Sequence, residues 1–234
     1  MSPNLVLILY KTVSRLPKYM ISSEIQKSKI RQSWAEEMLK ILGYKVTVTG
    51  KIQAKTKSFI LVGNHISFLD IPVIMAVCPS VVFVAKEDLK KWPVLGVCIA
   101  AAGTIFISRK VAADRSQARE KIGFSLKNKS ISVAVFPSGT TTLDEKVAWK
   151  KGIFEIAKKT KVPIQTFHIQ YKPLRQSAYI DDDNFISKIG EISKTKNKSV
   201  QLNWLQCYEE VDSPSQLSET IQKTIQNYQK RSSR

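Results

Sequence analysis

Ser58-Phe-Ile-Leu-Val-Gly63 is an apolar run that opens directly into Asn64-His65-Ile-Ser-Phe-Leu-Asp70, a histidine and a carboxylate five positions apart. A buried strand that ends in a polar, ionisable pair marks the edge of an α/β sheet where chemistry is usually placed. An imidazole oriented by a carboxylate is the commonest general-base unit. The chain has two histidines, His65 and His168, so each must be accounted for. Five residues along an ideal helix turn through about 140° and rise about 7.5 Å, which points the two side chains apart. The pair can meet only with His65 in a turn and Asp70 in the first turn of a following helix. Ser67-Phe-Leu-Asp70 fits a Ser-x-x-Asp capping box, and Pro72 suits a helix start. Two local readings therefore stand: a base with its orienting acid, or a helix cap beside a polar loop residue.

Working outward, 234 residues suffice for one substantial core, and no Gly-, Pro- or Ser-rich linker or internal repeat divides them. Lys and Arg number 37 against 19 Asp and Glu, a formal charge of +18. Such a surplus implies an anionic partner: a negatively charged bilayer, phosphorylated substrates or nucleic acid. No helix-turn-helix, zinc-finger or aromatic RNA-binding pattern accompanies the charge, so nucleic acid is not expected. Cys78, Cys98 and Cys207 are odd in number, lack metal-ligand spacing and suggest reduced thiols in a cytosolic setting. No metal is expected. Residues 1–21 lack the compact apolar segment and small-residue cleavage site of a secretory signal. The run from Leu5 to Tyr10 is too short to span a bilayer.

The first sixty residues carry eleven basic side chains against three acidic ones. They also carry Leu5, Leu7, Ile8, Leu9, Tyr10, Val13 and Leu16, then Ile25, Ile30, Trp34, Met38, Ile41 and Leu42, the second set closed by Gly43. An apolar face bordered by Lys and Arg reads as an element lying in a membrane interface. The expectation is a docking segment over 1–43, strongest for residues 4–21, with residues 23–42 read equally well as a helix packed on the core. Residues 44–234 then form an α/β domain.

Strands are expected at 45–49, 58–62, 81–85, 104–107, 131–136, 163–169 and 199–207. Helices are expected near 68–77, 92–102, 115–127 and 152–160. Ser213-Pro214 opens a last helix with Leu217, Ile221, Ile225 and Tyr228 on one face. His168 falls within an alternating, half-buried strand and reads as structural. The alternation implies a central, mostly parallel or mixed sheet flanked by helices. Four of its strands end in unusual polar sequences: Asn64-His65, Lys86-Glu-Asp-Leu89, Ser108-Arg109 and Pro137-Ser-Gly-Thr140. The last is a turn able to present backbone N–H groups and hydroxyls to an oxyanion or phosphate. Arg109 offers a bidentate fork for phosphate or carboxylate.

In these segments the chain resembles the glycerolipid and lysophospholipid acyltransferase superfamily typified by PlsC-like 1-acyl-sn-glycerol-3-phosphate acyltransferases. Asn64-His65-Ile-Ser-Phe-Leu-Asp70 is similar to its His-x4-Asp block. Lys86 to Leu89, Pro93, Gly96 and Gly103-Thr-Ile-Phe-Ile-Ser-Arg109 resemble the second. Phe136-Pro-Ser-Gly-Thr140 resembles the third, and Val162-Pro163-Ile164 the fourth. Lys150-Lys151-Gly152-Ile-Phe154 and Ala157 match the segment between. The blocks keep the family's order and spacing over about residues 34–170. Two positions depart: Ser138 stands where the family usually has Glu, and Thr141 where it often has the Arg taken to hold an acceptor phosphate. Members acting on other lyso-lipids, including lyso-ornithine lipids, tend to carry a threonine run there, as at Thr140-Thr141-Thr142.

The resemblance implies transfer of a fatty acyl group from a thioester, acyl-CoA or acyl carrier protein, to the free hydroxyl of a lyso-lipid. Lysophosphatidic acid is the first expected acceptor and another lyso-lipid the alternative. It implies His65 as general base and Asp70 as its orienting acid. Asn64, Lys86, Arg109, Ser138, Gly139 and Thr140 are the expected substrate contacts, and no cofactor is needed beyond the acyl donor. The expected location is peripheral, on the cytoplasmic face of the cell membrane. A catalytically silent lipid-surface protein on the same scaffold is the rival, favoured by Ser138 and opposed by the intact His65 and Asp70 pair.

Overall fold

Ile60-Leu-Val62 shows how the sheet is covered: Ile60 and Val62 join one apolar layer and Leu61 the other, all three without solvent exposure. The period of two along a strand sends alternate side chains to opposite faces, so both faces must be roofed by helices. A computed structural model describes residues 2–91, 96, 99, 103–107, 112–128 and 131–232.

The strands are β1 (Tyr44–Thr49), β2 (Ile60–Gly63), β3 (Val81–Lys86), β4 (Ile105–Ile107), β5 (Ser132–Val135), β6 (Ile164–Lys172) and β7 (Lys198–Tyr208). They form one seven-stranded sheet in the order β1-β7-β6-β2-β5-β3-β4. Every neighbouring pair is parallel except β6 with β7, so the sheet is mixed. Strands β2, β5, β3 and β4 run side by side in one direction, and their C-termini reach one edge.

One face is covered by α1 (Pro3–Ile21), α2 (Glu24–Ile41), α3 (Asp70–Val77) and, late in the chain, a helix over Phe185–Lys194. Leu5, Ile8, Ala35, Met38, Leu39, Val73, Ile74, Ile189 and Ile192 pack there against Leu61, Phe83 and Phe167. The other face holds α4 (Ala112–Asn128), α5 (Gly152–Thr160) and the C-terminal helix over Pro214–Ser232. Ile122, Leu126, Phe154, Ile221 and Ile225 meet Ile60, Val62, Val133 and Ile164 there. Truncating one such side chain to alanine costs about 2–5 kcal/mol. In chain order the four-residue turn Leu174–Ser177 is α6, Phe185–Lys194 is α7 and Pro214–Ser232 is α8.

The N-terminal helices are part of this core. Helix α1 buries Leu5, Ile8, Thr12 and Tyr19 while Val6, Leu7, Tyr10, Val13, Met20 and Ile21 stay exposed. Helix α2 buries Arg31, Ala35, Met38 and Leu39; of the set read in the sequence, Met38 and Leu42 are buried, Trp34 and Ile41 pack partly buried against the core, and Ile25 is exposed. Arg31 is accommodated because its guanidinium donates to the Pro79 carbonyl at 2.9 and 3.2 Å and to the Tyr19 hydroxyl at 2.8 Å. Glu37 accepts from Lys11 at 2.8 Å and from Arg15, tying the two helices together. No helix among the described residues is long and apolar enough to cross a membrane. The helix expected over 92–102 lies outside the described residues apart from helical Gly96 and Ile99. Helices α6 and α7 had no counterpart in the sequence reading.

Candidate active site

Strand β2 delivers His65 to the sheet edge. A Cβ at Gly63 would overlap the buried ring of Phe167, so only glycine lets β2 lie this close to β6. Phe167 meets Phe136 edge to face, with centroids 6.1 Å apart, and Phe136 stacks on the His65 ring at 3.9 Å. Next in the chain, Asn64 is fully buried. Its amide nitrogen donates to the Ile169 carbonyl and its oxygen accepts from the Ile169 N–H, both at 2.8 Å. The Asn64 side chain thus imitates a peptide unit and prolongs the β2–β6 ladder. Although it was expected among the substrate contacts, both of its polar atoms serve the scaffold.

His65 and Asp70 meet. Nδ1 of His65 lies 2.7 Å from Oδ2 of Asp70. The same oxygen accepts the backbone N–H groups of Ile66 at 2.8 Å and Ser67 at 3.1 Å, and Oδ1 accepts the Tyr171 hydroxyl at 2.7 Å. Asp70 has no solvent exposure, so these four donors satisfy it completely. Burial and the neighbouring Asp70 push the Tyr171 hydroxyl well above its usual range, which keeps it a donor. An acceptor facing Nδ1 makes Nδ1 the N–H of the neutral ring and leaves the lone pair on Nε2. The His65 side chain keeps 18 % of its surface open, enough for a substrate to reach it.

The two local readings of the sequence merge at Asp70. Its carboxylate reaches back to the Ser67 N–H as a capping box requires, but the helix begins at Asp70 with Leu69 as N-cap and no side-chain cap bond. The turn of residues 64–69 lets His65 swing onto the carboxylate that five helical residues would have kept apart.

The loop after β5 closes over this pair. Gly139 takes φ +68°, and its N–H donates to the Phe136 carbonyl at 3.0 Å. The buried Ser138 hydroxyl donates to the Thr140 carbonyl at 2.8 Å, and Thr140 itself is exposed. The Gly139 N–H, expected as an oxyanion donor, is therefore engaged in its own turn. The Thr142 N–H donates to the His65 carbonyl at 2.7 Å. From the other side, the His65 N–H donates to Oε1 of Glu145 at 2.9 Å, while Oε2 accepts Nε1–H of Trp149 at 2.7 Å. Glu145 is fully buried, and burial pushes its carboxyl up to about 7.

Lys86 ends β3 on the same edge, exposed and two strands from β2, in register with Ile107 of β4. Neighbouring strands are about 4.8 Å apart, so a substrate headgroup can span Lys86 and His65. Arg109 lies outside the described residues. The structure thus brings His65, Asp70 and the Ser138–Thr140 turn together, with Lys86 along the edge. Sequence reasoning missed Tyr171, Glu145 and Trp149. Tyr171 follows Phe167 and Ile169 in alternation, a sign of the buried face but not of its bond to Asp70. Glu145 gave no signal.

An apolar cavity of about 130 Å³ lies between the N-terminal helices and the sheet, lined by Thr12, Leu16, Trp34, Ile71, Phe83 and Leu89 among others. Ile71 directly follows Asp70, and Leu89 follows the end of β3.

Comparison with known proteins bears on the family and the fold. A family model described as Acyltransferase matches residues 45–170. A lyso-ornithine lipid O-acyltransferase of Pseudomonas aeruginosa is 28 % identical over 185 residues, covering 77 % of this chain and 70 % of that protein. A 1-acyl-sn-glycerol-3-phosphate acyltransferase of Saccharomyces cerevisiae is 32 % identical over 128 residues, 53 % of this chain and 42 % of its own length. The human 1-acyl-sn-glycerol-3-phosphate acyltransferase alpha is 28 % identical over 178 residues, and the match spans 60 % of it. The crystal structure of the 1-acyl-sn-glycerophosphate acyltransferase PlsC from Thermotoga maritima shares the fold, with a TM-score of 0.65, 22 % identity and 97 % and 95 % of the two chains covered.

Proposed function

The chain belongs to the acyltransferase family, and from that premise we propose that it moves a fatty acyl group from acyl-CoA or acyl carrier protein to the free hydroxyl of a lyso-lipid. The observation that carries the reading is the 2.7 Å contact between His65 and a fully satisfied Asp70 at the sheet edge. An alcohol is a poor nucleophile at neutral pH and needs a base. Nε2 of His65 takes the hydroxyl proton as the oxygen attacks the thioester carbonyl, and Asp70 stabilises the imidazolium that forms. The tetrahedral intermediate collapses, the C–S bond breaks, and His65 returns the proton to the departing thiolate. No acyl-enzyme is required. Thr140, on the exposed turn, supplies donors for the oxyanion. Lys86 and, on sequence grounds, Arg109 hold the acceptor headgroup.

Lysophosphatidic acid is the first acceptor, giving phosphatidic acid. A specific observation favours a second: Thr141 replaces the phosphate-holding arginine, and the Pseudomonas relative, matched over most of its length, is named for lyso-ornithine lipid. Both acceptors are amphiphiles, and the exposed Val6, Leu7, Tyr10, Met20, Ile21 and Ile25 beside a lysine-rich surface fit docking to an anionic bilayer from its cytoplasmic side.

The test is incubation of the purified chain with labelled acyl-CoA, acyl carrier protein thioesters and a panel of lyso-lipids, with products identified by mass spectrometry. Formation of phosphatidic acid supports the first acceptor and of acylated ornithine lipid the second. Absence of any lyso-lipid-dependent thiol release would leave the silent scaffold in its place.

A further inference from the structure

Glu145 is a carboxylate in an expensive position. It has no exposure, and it holds φ +51°, a left-handed conformation that suits glycine better. Burying a charged group is unfavourable unless specific donors compensate. Both compensating donors here are directed: the His65 backbone N–H at 2.9 Å and the Trp149 indole at 2.7 Å. The Thr142 N–H, three residues earlier on the same loop, holds the His65 carbonyl at 2.7 Å. The peptide groups on both sides of the catalytic ring are therefore clamped by one loop.

The loop is itself held from the far side. The Glu145 carbonyl accepts Nε2 of Gln222 at 2.7 Å and of Gln226 at 2.9 Å, and Gln222 also donates to the Val147 carbonyl at 2.9 Å. These glutamines lie one turn apart on α8. A continuous path runs from the C-terminal helix through Glu145 to the backbone of His65, without touching the His65–Asp70 contact.

We propose that Glu145 is a positioning residue for the transfer reaction: its carboxylate fixes the backbone of the base, and α8 fixes Glu145. The inference rests on His65 being the base. It adds to that reading a determinant 80 residues away in sequence. The prediction is specific because both neighbours of the carboxylate are donors. A glutamine at 145 has one acceptor oxygen for two N–H groups, so one donor must face an NH₂. Removing the indole donor relieves that conflict and returns the amide oxygen to His65.

Steady-state transfer by the full-length Glu145→Gln, Trp149→Phe, Glu145→Gln/Trp149→Phe and His65→Ala proteins tests this, with thermal melts beside the kinetics. Glu145→Gln lowers kcat about tenfold or more with KM nearly unchanged, since small misplacements of a catalytic group are costly. Trp149→Phe alone lowers kcat less than Glu145→Gln does. The double variant regains most of the lost kcat although its core is less well filled. A merely structural glutamate would give additive losses and no recovery. Wild-type kcat in Glu145→Gln, or a double variant no faster than it, would overturn the proposal. If Glu145→Gln does not fold, Gln222→Ala/Gln226→Ala decides: a lower kcat at constant KM supports the clamp, and an unchanged kcat overturns it. Activity surviving in His65→Ala would instead defeat the reading of the base.

Discussion

The two histidines sit on adjacent strands of one sheet and differ in everything that matters for chemistry. His65, just past β2, has Asp70 on Nδ1, an aromatic ring beneath it and part of its surface open. His168, inside β6, is 1 % exposed. Its Nδ1 lies 3.4 Å from the Asn203 amide, its Nε2 meets no partner among the described residues, and burial pushes its titration down to about 4. Enclosure alone makes an imidazole neutral and inert. A base needs one nitrogen committed to an acid and the other left free.

The largest test of that contrast is replacement of each ring. His65→Ala should reduce transfer by about 10² to 10⁴-fold with the fold retained, while His168→Gln should stay within a few-fold of wild type; equal losses would erase the distinction. Asp70→Asn should come next. An amide cannot accept from His65, Ile66, Ser67 and Tyr171 together, and a loss of about 10²-fold in kcat is expected from a misoriented ring. Near-wild-type turnover there would leave His65 without its orienting acid.

The contrast sharpens in pH dependence of stability. His168 is depressed from 6.5 to about 4 on folding, so the unfolded chain binds the extra proton between those values. Its contribution is full above about 6.5 and is lost as pH falls through 4, at most about 3 kcal/mol. Glu145 is raised from 4.5 to about 7 and acts oppositely: its contribution is full below 4.5 and is lost as pH rises through 7. Urea unfolding of wild type and His168→Phe across pH 4–8 isolates the first effect, and parallel curves would show that the ring is not neutralised by burial. The smallest effect is expected at Tyr171→Phe. It removes one of four donors to Asp70 and should cost about 1 kcal/mol of stability with a few-fold fall in kcat. No change in either would mean the hydroxyl contributes nothing to Asp70.

Much of this was legible before any coordinates. The apolar runs at 58–62, 81–85 and 131–136 became β2, β3 and β5 because buried parallel strands are apolar on both faces and interrupted by polar ends. His65 and Asp70 were legible as a pair, since a turn was the only geometry that let them meet. What failed to show was long-range. The Tyr171 hydroxyl reaches Asp70 across 101 residues and Glu145 reaches His65 across 80, and no local period encodes such contacts. Asn64 read in a different way: an asparagine beside a candidate base suggests a ligand, whereas both polar atoms of its amide bond Ile169 of β6. Helix α7 escaped because its two fully buried residues, Ile189 and Ile192, make too brief a pattern. On α2 the buried face includes Arg31, whose partners, Pro79 and Tyr19, belong to other elements.

Helix α1 bears one last consequence. Its outer side shows Val6, Leu7 and Tyr10, and its inner side contributes Thr12 and Leu16 to the cavity beside Ile71. With its outer side resting on lipid, as proposed, a fatty tail passing from the bilayer interior into that cavity has only the breadth of one helix to cross, about 10 Å. The helix would then act as a threshold between two greasy compartments, and the hydrocarbon need never be wetted on the way.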